Sequence, residues 1–260
     1  MSDAPATRPH LSPAFAAEPI AHRGLHGPER PENSLAAFAA ALAAGYGIEL
    51  DVQPSADGKA MVFHDATLDR MTAAQGSVRA RTAAELQRMR LAGTAECIPT
   101  LGAVLTAIDG AVPLLIELKD QTGNPGGDDG TLERATAAAL AGHAGPVAVM
   151  SFNPAMIARM AALAPDVPRG LVTWAWDDAQ ATDLPDATLA RLREIADFDR
   201  VGACFVSHQH SDLARPQVAA LKSRGVPVLC WTIRSAQEAQ AARRIADQIT
   251  FEGFLPPVHR

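Results

Sequence analysis

The sequence predicts a single α/β domain folded as a (β/α)8 TIM barrel. Short apolar strands alternate with helices eight times along the chain, and eight such units favour a closed parallel barrel over an open sheet. A chain of 260 residues suits one barrel of this kind. Chemically reactive side chains follow several of the strands, and the active sites of such barrels lie at the carboxyl ends of the strands. We therefore expect these side chains to meet at one end of the molecule.

Three segments are expected along the chain. Residues 1–18 are rich in Pro and Ala and are predicted to form a loosely attached tail. The barrel domain then occupies residues 19–258. A small insertion of about residues 54–97 interrupts the alternation between the second strand and the second helix, and it opens with the turn dipeptide Asp57-Gly58. A solvated loop is predicted over Gln121–Gly130.

The strands are short apolar runs, and the helices are marked by apolar spacing and capping residues. The predicted strands are Pro19–His22, Ile48–Val52, Val112–Leu118, Val147–Ser151, Arg169–Trp174, Ala203–Ser207, Val226–Trp231 and Gln248–Phe251. The first helix is expected to follow an N-cap at Asn33 or Ser34 and to end at Gly45. Later helices are predicted over Leu101–Ile108, Thr131–His143, Ala155–Leu163, Thr188–Ala196, Asp212–Arg224 and Ala236–Ala246.

Composition and charge exclude several classes of function. The net charge is -6 and the pI is about 5.7, and Lys and Arg form no cluster, so no nucleic-acid partner is expected. The three cysteines are widely spaced and indicate neither a zinc site nor a disulfide framework. No apolar run reaches membrane-spanning length, and no signal peptide is visible at the start of the chain. We expect a cytoplasmic protein without stable membrane anchoring, and its oligomeric state stays open.

Four short motifs between residues 20 and 65 bring histidines, carboxylates and an arginine into one supersecondary unit. They are Ala21-His22-Arg23-Gly24, Pro31-Glu32-Asn33-Ser34, Ile48-Glu49-Leu50-Asp51-Val52 and Val62-Phe63-His64-Asp65. Because successive side chains of a strand alternate, Glu49 and Asp51 share one face. Like charges on an inward strand face require a cation or a basic partner. The pair therefore indicates a metal site.

A third carboxylate, Glu117, ends the next barrel strand, where alternation places Lys119 on the same face. Three carboxylates about 5 Å apart repel by roughly 3 kcal/mol per pair at an effective dielectric near 20, and a divalent cation removes that repulsion. An all-oxygen ligand set suits a hard ion, so we expect Mg²⁺ or Ca²⁺. A phosphodiester anion would balance the charges, because Arg23 and Lys119 join the cation against the three acids and the phosphate.

Six motifs follow one another in an order that resembles the glycerophosphodiester phosphodiesterase family, over about Ile20 to Pro256. They are His22-Arg23-Gly24, Pro31-Glu32-Asn33-Ser34, Glu49-Leu50-Asp51, Asp57-Gly58, His64-Asp65 and Ile116-Glu117-Leu118-Lys119. The resemblance implies the same barrel and the metal-dependent hydrolysis of glycerophosphodiesters, the deacylated phospholipids, to sn-glycerol 3-phosphate and an alcohol. It implies these roles: His22 and His64 as the acid–base pair, Arg23 and Lys119 at the phosphate, and Glu49, Asp51 and Glu117 as metal ligands.

Several details of this chemistry stay open in the sequence. Phosphodiester hydrolysis needs a base and an acid, and histidine titrates in the useful range, but either His22 or His64 could be the base. Water could attack directly, or a glycerol hydroxyl could attack first and give a cyclic phosphate. The head-group alcohol is equally open.

Aromatic residues at strand ends are either barrel packing or walls of a substrate pocket. Trp231 matches an aromatic of the family's seventh strand, and we expect Trp231 and Phe152 to contact the substrate. The last strand departs from the family pattern, which usually has a Thr-Asp turn where this chain reads Thr250-Phe251-Glu252-Gly253-Phe254. The far wall of the pocket is therefore expected to differ.

Three alternative functions compete with this interpretation. The chain could cleave lysophospholipids in the manner of a lysophospholipase D, which would need an apolar groove or loop that is not evident. It could enolise a carboxylate substrate with Lys119 as base, which leaves His22 and His64 unexplained. It could be a non-catalytic glycerophosphodiester-binding module, although no histidine or acid of the motif set is lost.

Overall fold

The computed structural model describes residues 8–120, 129–177 and 184–258. Its strands are β1 (Ile20–Ala21), β2 (Gly47–Pro54), β3 (Ala60–Val62), β4 (Leu114–Leu118), β5 (Val147–Ser151), β6 (Arg169–Thr173), β7 (Phe205–Gln209), β8 (Val228–Ile233) and β9 (Gln248–Phe251). Its α-helices are α1 (Ala14–Ala17), α2 (Leu35–Ala44), α3 (Ala83–Leu86), α4 (Leu101–Ile108), α5 (Thr131–Leu140), α6 (Pro154–Leu163), α7 (Asp186–Arg193), α8 (Pro216–Ser223) and α9 (Ala236–Ala242). The first seven residues of the predicted tail and most of the predicted Gln121–Gly130 loop lie outside the described residues.

Eight parallel strands close into a barrel. Strand β1 pairs with β2 on one side and with β9 on the other, and the ladder between them runs through β4, β5, β6, β7 and β8. The one antiparallel partner in this sheet is β3, which folds back on β2 with Val62 opposite Val52. The predicted TIM barrel is confirmed.

Side chains alternate between two layers of core. One cluster fills the barrel interior and contains Phe15, Ile20, Leu115, Ala148, Met150, Val172, Cys204, Phe205 and Leu229. A larger cluster lies between the strands and the helices and includes Leu114, Ile116 and Leu118 of β4. Because Leu115 faces inward, Glu117 two residues later lies on the same inward face. Glu117 therefore lies on the inward face near the carboxyl end of β4.

The segment before β1 differs from the expected loose tail. Helix α1 lies in it, and Phe15 is completely buried among the interior residues near the start of the strands. The backbone carbonyl of Ala16 accepts a hydrogen bond from Gln248 Nε2 at 3.0 Å. Residues 8–18 are therefore attached to the barrel, because the amino-terminal end of the interior needs an apolar side chain to close it.

The segment between β2 and α4 has a small core of its own. Strand β3, a 3₁₀ turn over Val78–Ala80 and α3 surround a cluster that includes Phe63, Leu68 and Leu86. Helix α3 begins with a capping box between Thr82 and Glu85.

Most helix boundaries agree with the sequence to within a few residues. Ser34 is the N-cap of α2, and its hydroxyl accepts a hydrogen bond from the Ala37 amide. Helix α8 begins at Pro216, after a 3₁₀ turn over His210–Asp212, and does not extend back to Asp212. Proline suits the first helical turn and would break a helix interior, which explains this later start. Among the described residues, no helix combines the length and the apolar character that crossing a membrane requires.

Candidate active site

The residues singled out in the sequence converge on a cavity of about 310 Å³ at the carboxyl end of the barrel. His22 and Arg23 directly follow β1, and one residue separates His64 from the end of β3. Residues from the predicted set that line the cavity are His22, Arg23, Glu49, His64, Glu117, Lys119, Phe152 and Trp231. Asp51 adjoins this set through its contact with Lys119.

Three carboxylates form a compact buried cluster beside this cavity. Oxygen atoms of Glu49, Asp51 and Glu117 all lie within 4.8 Å of one another. Strands β2 and β4 produce the cluster, because their parallel register sets Asp51 opposite Glu117. We call these three residues the acid cluster. Its all-oxygen donor set can hold a hard divalent cation.

Lys119 neutralises part of the acid cluster. Its Nζ lies 3.0 Å from Asp51 Oδ1 and 2.7 Å from Glu117 Oε1. Burial lowers the pKa of Lys119, but Asp51 and Glu117 outweigh it and raise that pKa above its usual value. Burial has the opposite effect on a carboxylate and raises the pKa of Asp51. The charges of Lys119, His64 and Arg23 outweigh burial and hold this pKa below its usual range. The ammonium and the Asp51 carboxylate are both charged at neutral pH.

Glu49 is the acid whose charge these contacts compensate least. It accepts a hydrogen bond from the backbone amide of Arg23 at 3.0 Å, and His22 Nε2 lies 3.9 Å from its Oε2. Burial foremost, and then Asp51 and Glu117, raise the pKa of Glu49 well above its usual value. A carboxylate in such surroundings favours a bound cation, so the acid cluster fits a metal ion on electrostatic grounds.

A carboxylate from the last strand holds His22. Glu252 follows β9, and its Oε2 lies 2.5 Å from His22 Nδ1. The other oxygen of Glu252 accepts hydrogen bonds from Arg234, whose Nε lies 2.8 Å away. Sequence reasoning did not assign Glu252 a role, and the one signal in the sequence was the departure from the family's Thr-Asp turn.

His64 is held in a comparable way by its neighbour Asp65. The distance between His64 Nδ1 and Asp65 Oδ1 is 2.7 Å. Arg70 binds the same carboxylate through Nε at 2.6 Å and also binds Glu32 at 2.6 Å. Glu32 in turn pairs with Arg23 at 2.8 Å. These ion pairs connect the two loops that carry Arg23 and His64.

Asn33 supports the acid cluster from below. Its Nδ2 donates to Asp51 Oδ2 at 2.9 Å, and its Oδ1 accepts from the Asp51 amide at 3.2 Å. Asn33 is buried and has a positive φ of 58°, a conformation that asparagine tolerates better than most residues. The asparagine of the Pro-Glu-Asn motif therefore supports the Asp51 carboxylate.

An aromatic wall completes the cavity on the side of β5 and β8. The rings of Phe152 and Trp231 meet edge to face with centroids 5.5 Å apart, and Trp231 Nε1 donates to the Ser207 carbonyl at 3.0 Å. Trp176 packs against Phe152, with centroids 6.1 Å apart, and Trp174 packs against Trp176. Phe152 and Trp231 line the cavity and can contact a ligand, while the two further tryptophans support that wall.

Together, the fold and the site define a barrel enzyme whose acidic, basic and histidine side chains meet at the carboxyl end of its strands. Residues 22–249 match the model of the Glycerophosphoryl diester phosphodiesterase family. The chain belongs to this family and is an enzyme of the phosphoric diester hydrolase class.

Individual relatives agree with this assignment. Bacillus subtilis YhdW is 31% identical over 229 residues, which cover 85% of this chain and 87% of YhdW. A glycerophosphodiester phosphodiesterase of the same organism is 27% identical over 235 residues, covering 83% of this chain and 76% of its own. A solved structure of an Oleispira antarctica phosphodiesterase in complex with its product sn-glycerol-3-phosphate is similar with a TM-score of 0.75 and 26% identity, covering 92% of this chain and 95% of that chain.

Proposed function

We propose that this chain hydrolyses glycerophosphodiesters to sn-glycerol 3-phosphate and a free alcohol with the help of one divalent cation, Mg²⁺ or Ca²⁺. In this proposal the acid cluster of Glu49, Asp51 and Glu117 holds the cation. His22 and His64 act as the acid–base pair.

The observation that carries the proposal is that both histidines line one cavity together with Glu49 and Glu117 of the acid cluster, in a member of this family. One ring can take a proton while the other gives one, because both reach the same enclosed space. The Oleispira antarctica relative holds sn-glycerol-3-phosphate as its product, which supports a glycerol phosphate in the equivalent barrel end.

The acid cluster supports the metal part of the proposal. Its three carboxylates bring more negative charge than Lys119 and Arg23 offset. The pKa of Glu49 is raised mainly by burial and further by the charges of Asp51 and Glu117. When bound, a divalent cation would offset this charge and stabilise the negative charge that develops on the phosphate during hydrolysis.

Arg23 and Lys119 are the candidates for phosphate binding. Both line the cavity, and both side chains stay charged beside the carboxylates of the acid cluster. The enolising alternative, with Lys119 as base, would give no role to His22 and His64, which line the same cavity.

The aromatic wall of Phe152 and Trp231 is proposed to contact the carbon atoms of the glycerol or of the head-group alcohol. Most of the remaining lining is polar or charged, which suits a deacylated substrate better than a lysophospholipid with its long acyl chain. The head-group alcohol, the choice of base and the order of attack stay open. The cytoplasmic location and the lack of a nucleic-acid partner stay predictions.

A metal-replacement assay tests the proposal. Protein stripped with a chelator is incubated with glycerophosphocholine and with glycerophosphoethanolamine, and release of glycerol 3-phosphate is measured before and after addition of Mg²⁺ or Ca²⁺. We expect release only after one of the ions is added, and the more active ion would identify the preferred cofactor.

Two controls make the assay decisive. Calorimetry of each ion with the stripped protein, compared with a Glu49→Gln variant, shows whether the acid cluster binds it. If folded protein binds metal and releases no glycerol 3-phosphate, the proposed substrate is wrong, and parallel reactions with lysophosphatidylcholine would then test the lysophospholipid alternative.

A further inference from the structure

The carboxylate of Glu252 lies between one cavity histidine and an arginine. Glu252 Oε2 is 2.5 Å from His22 Nδ1, and Glu252 Oε1 is 2.8 Å from Arg234 Nε and 2.7 Å from Arg234 Nη2. The side chain of Glu252 is 20% exposed, and that of His22 is 15% exposed, so the contact is shielded from most of the solvent. Glu252 does not belong to the acid cluster.

The barrel backbone fixes this contact. Strands β9 and β1 are parallel neighbours with Phe251 opposite Ala21, and the next residues along the two strands are Glu252 and His22. The His22 amide donates to the Phe251 carbonyl at 2.9 Å, and the Glu252 amide donates to the Ile233 carbonyl at 3.0 Å. Both residues therefore have ordered backbones where their side chains meet.

The contact determines which ring nitrogen of His22 carries the proton. An ionised carboxylate only accepts hydrogen bonds, so Nδ1 must donate to Glu252. The hydrogen bond with His22 and the nearby His26 ring, whose Nε2 lies 3.7 Å from Oε2, with the charge of Arg234 as a smaller cause, hold the pKa of Glu252 far below its usual value, so the carboxylate is ionised. Nε2 is then the nitrogen that can exchange a proton, and it lies 3.9 Å from Glu49 Oε2 in the acid cluster.

The second cavity histidine shows the same chemical arrangement. His64 Nδ1 meets Asp65 at 2.7 Å, and Asp65 meets Arg70. Asp65 is adjacent to His64 in the sequence, whereas Glu252 and His22 are 230 residues apart. Two histidines that are each held by a carboxylate and an arginine indicate that ring orientation matters at both positions.

We propose that Glu252, itself held by Arg234, is the positioning residue of His22. It keeps the proton on Nδ1 and points Nε2 into the cavity, without touching the substrate. This inference rests on the proposed function, in which His22 transfers a proton.

Kinetics of three variants test the inference. Glu252→Gln keeps the size of the side chain and removes its charge, and it should lower kcat about 10- to 100-fold, the usual effect of losing an orienting partner, while KM stays nearly unchanged. Glu252→Ala should lower kcat further, and added formate should restore part of it by supplying a carboxylate. Asp247→Asn is the matched control, because Asp247 precedes the same strand at the opposite end and pairs with Lys222.

Nitrogen-15 NMR of histidine-labelled protein gives a readout that does not depend on turnover. In the metal-loaded wild type, Nδ1 of His22 should carry a proton. In Glu252→Ala the preference for Nδ1 should be lost. A wild-type His22 whose Nδ1 carries no proton would overturn the inference even if every variant folded poorly.

The outcomes separate this inference from the proposed function. A wild type that binds metal but releases no glycerol 3-phosphate contradicts the proposed function, and the NMR experiment still decides the role of Glu252. An active wild type whose Glu252→Gln variant keeps its kcat contradicts the inference alone. A rise in KM with unchanged kcat also contradicts it, because Glu252 would then be part of the substrate wall.

Discussion

His64 shows how the charges of the cavity act on a single side chain. Burial is the largest cause that lowers its pKa below the usual 6.5, Asp51 opposes this effect, and Lys119 and Arg23 add to it. The ring is therefore neutral at neutral pH when no metal offsets the acid cluster. A neutral His64 that donates its Nδ1 proton to Asp65 can accept a proton at Nε2, and it must first be protonated there before it can act as the acid of the proposed pair.

This shift gives a prediction for stability against pH. Because the folded-state pKa of His64 is lowered, the unfolded chain binds the proton first as the pH falls, so protonation favours unfolding. We expect the contribution of His64 to the free energy of unfolding of metal-free protein to decrease from about pH 7.5 to about pH 5.5, through the ordinary histidine pKa near 6.5. The raised pKa of Glu49 acts in the opposite direction, so the His64 contribution is measured as the difference between the wild type and His64→Gln. Urea denaturation across this range measures it. Glutamine does not titrate in this pH range, so the His64→Gln variant should lose less stability than the wild type as the pH falls. An equal loss would contradict the lowered pKa of His64.

Removal of either cavity histidine is the second prediction at this scale. His22→Ala and His64→Ala should each abolish turnover, because one partner of the acid–base pair is lost. Metal affinity and the thermal unfolding midpoint should stay near normal, because neither ring belongs to the acid cluster. His143→Ala is the matched control, since His143 lies between α5 and β5 at the amino end of the barrel. Near-normal activity in either cavity variant would refute the proposed pair.

At the scale of elements, the segment between β2 and α4 acts on the site through Arg70. This side chain joins Asp65, which holds His64, to Glu32, which holds Arg23. Arg70 is half-exposed and does not line the cavity. Through Arg70, the segment therefore influences the positions of His64 and Arg23. The rest of the segment packs around its own small apolar core.

Replacement of Arg70 tests this influence. Arg70→Met removes the cation and keeps an apolar stem, so Glu32 and Asp65 lose their shared partner. We expect kcat to fall about tenfold, as for other orienting partners. The free energy of unfolding should change by only about 1 kcal/mol, because the Arg70 side chain is half-exposed and ion pairs of solvent-exposed side chains contribute little. Arg79→Met is a control in the same segment, where Arg79 pairs with the exposed Asp129 at 3.3 Å. If both variants had the same kcat, the proposed influence of Arg70 would be refuted.

Local patterns predicted much of the fold and of the candidate site. The alternation in β2 and β4 was enough to place Glu49, Asp51 and Glu117 on one inward face, because a strand has only two faces. Glu252 and Phe15 were not predicted, because their contacts depend on strands that are distant in the sequence. A carboxylate after the last strand becomes a partner of His22 only once the barrel closes between β9 and β1.

At the scale of the whole molecule, the two ends of the barrel have different tasks. The carboxyl end is polar and holds the cavity, whereas Phe15 lies in the apolar interior at the amino end. The interior is tightly filled there, since any side chain at Gly170 would overlap the ring of Phe205. The segment before β1 is thus part of the barrel core, and we expect that stability and activity can be changed separately.

A Phe15→Ala variant tests this separation. The side chain is completely buried, so its removal leaves a cavity and should lower the free energy of unfolding by about 3–5 kcal/mol in urea denaturation. The kcat of the folded protein, measured well below the unfolding midpoint, should stay near that of the wild type, because the site lies at the opposite end. Leu163→Ala is the control, because Leu163 is 45% exposed and should cost far less. Equal costs for the two variants would show that Phe15 does not close the barrel, and a large loss of kcat in Phe15→Ala would show that the two ends are coupled.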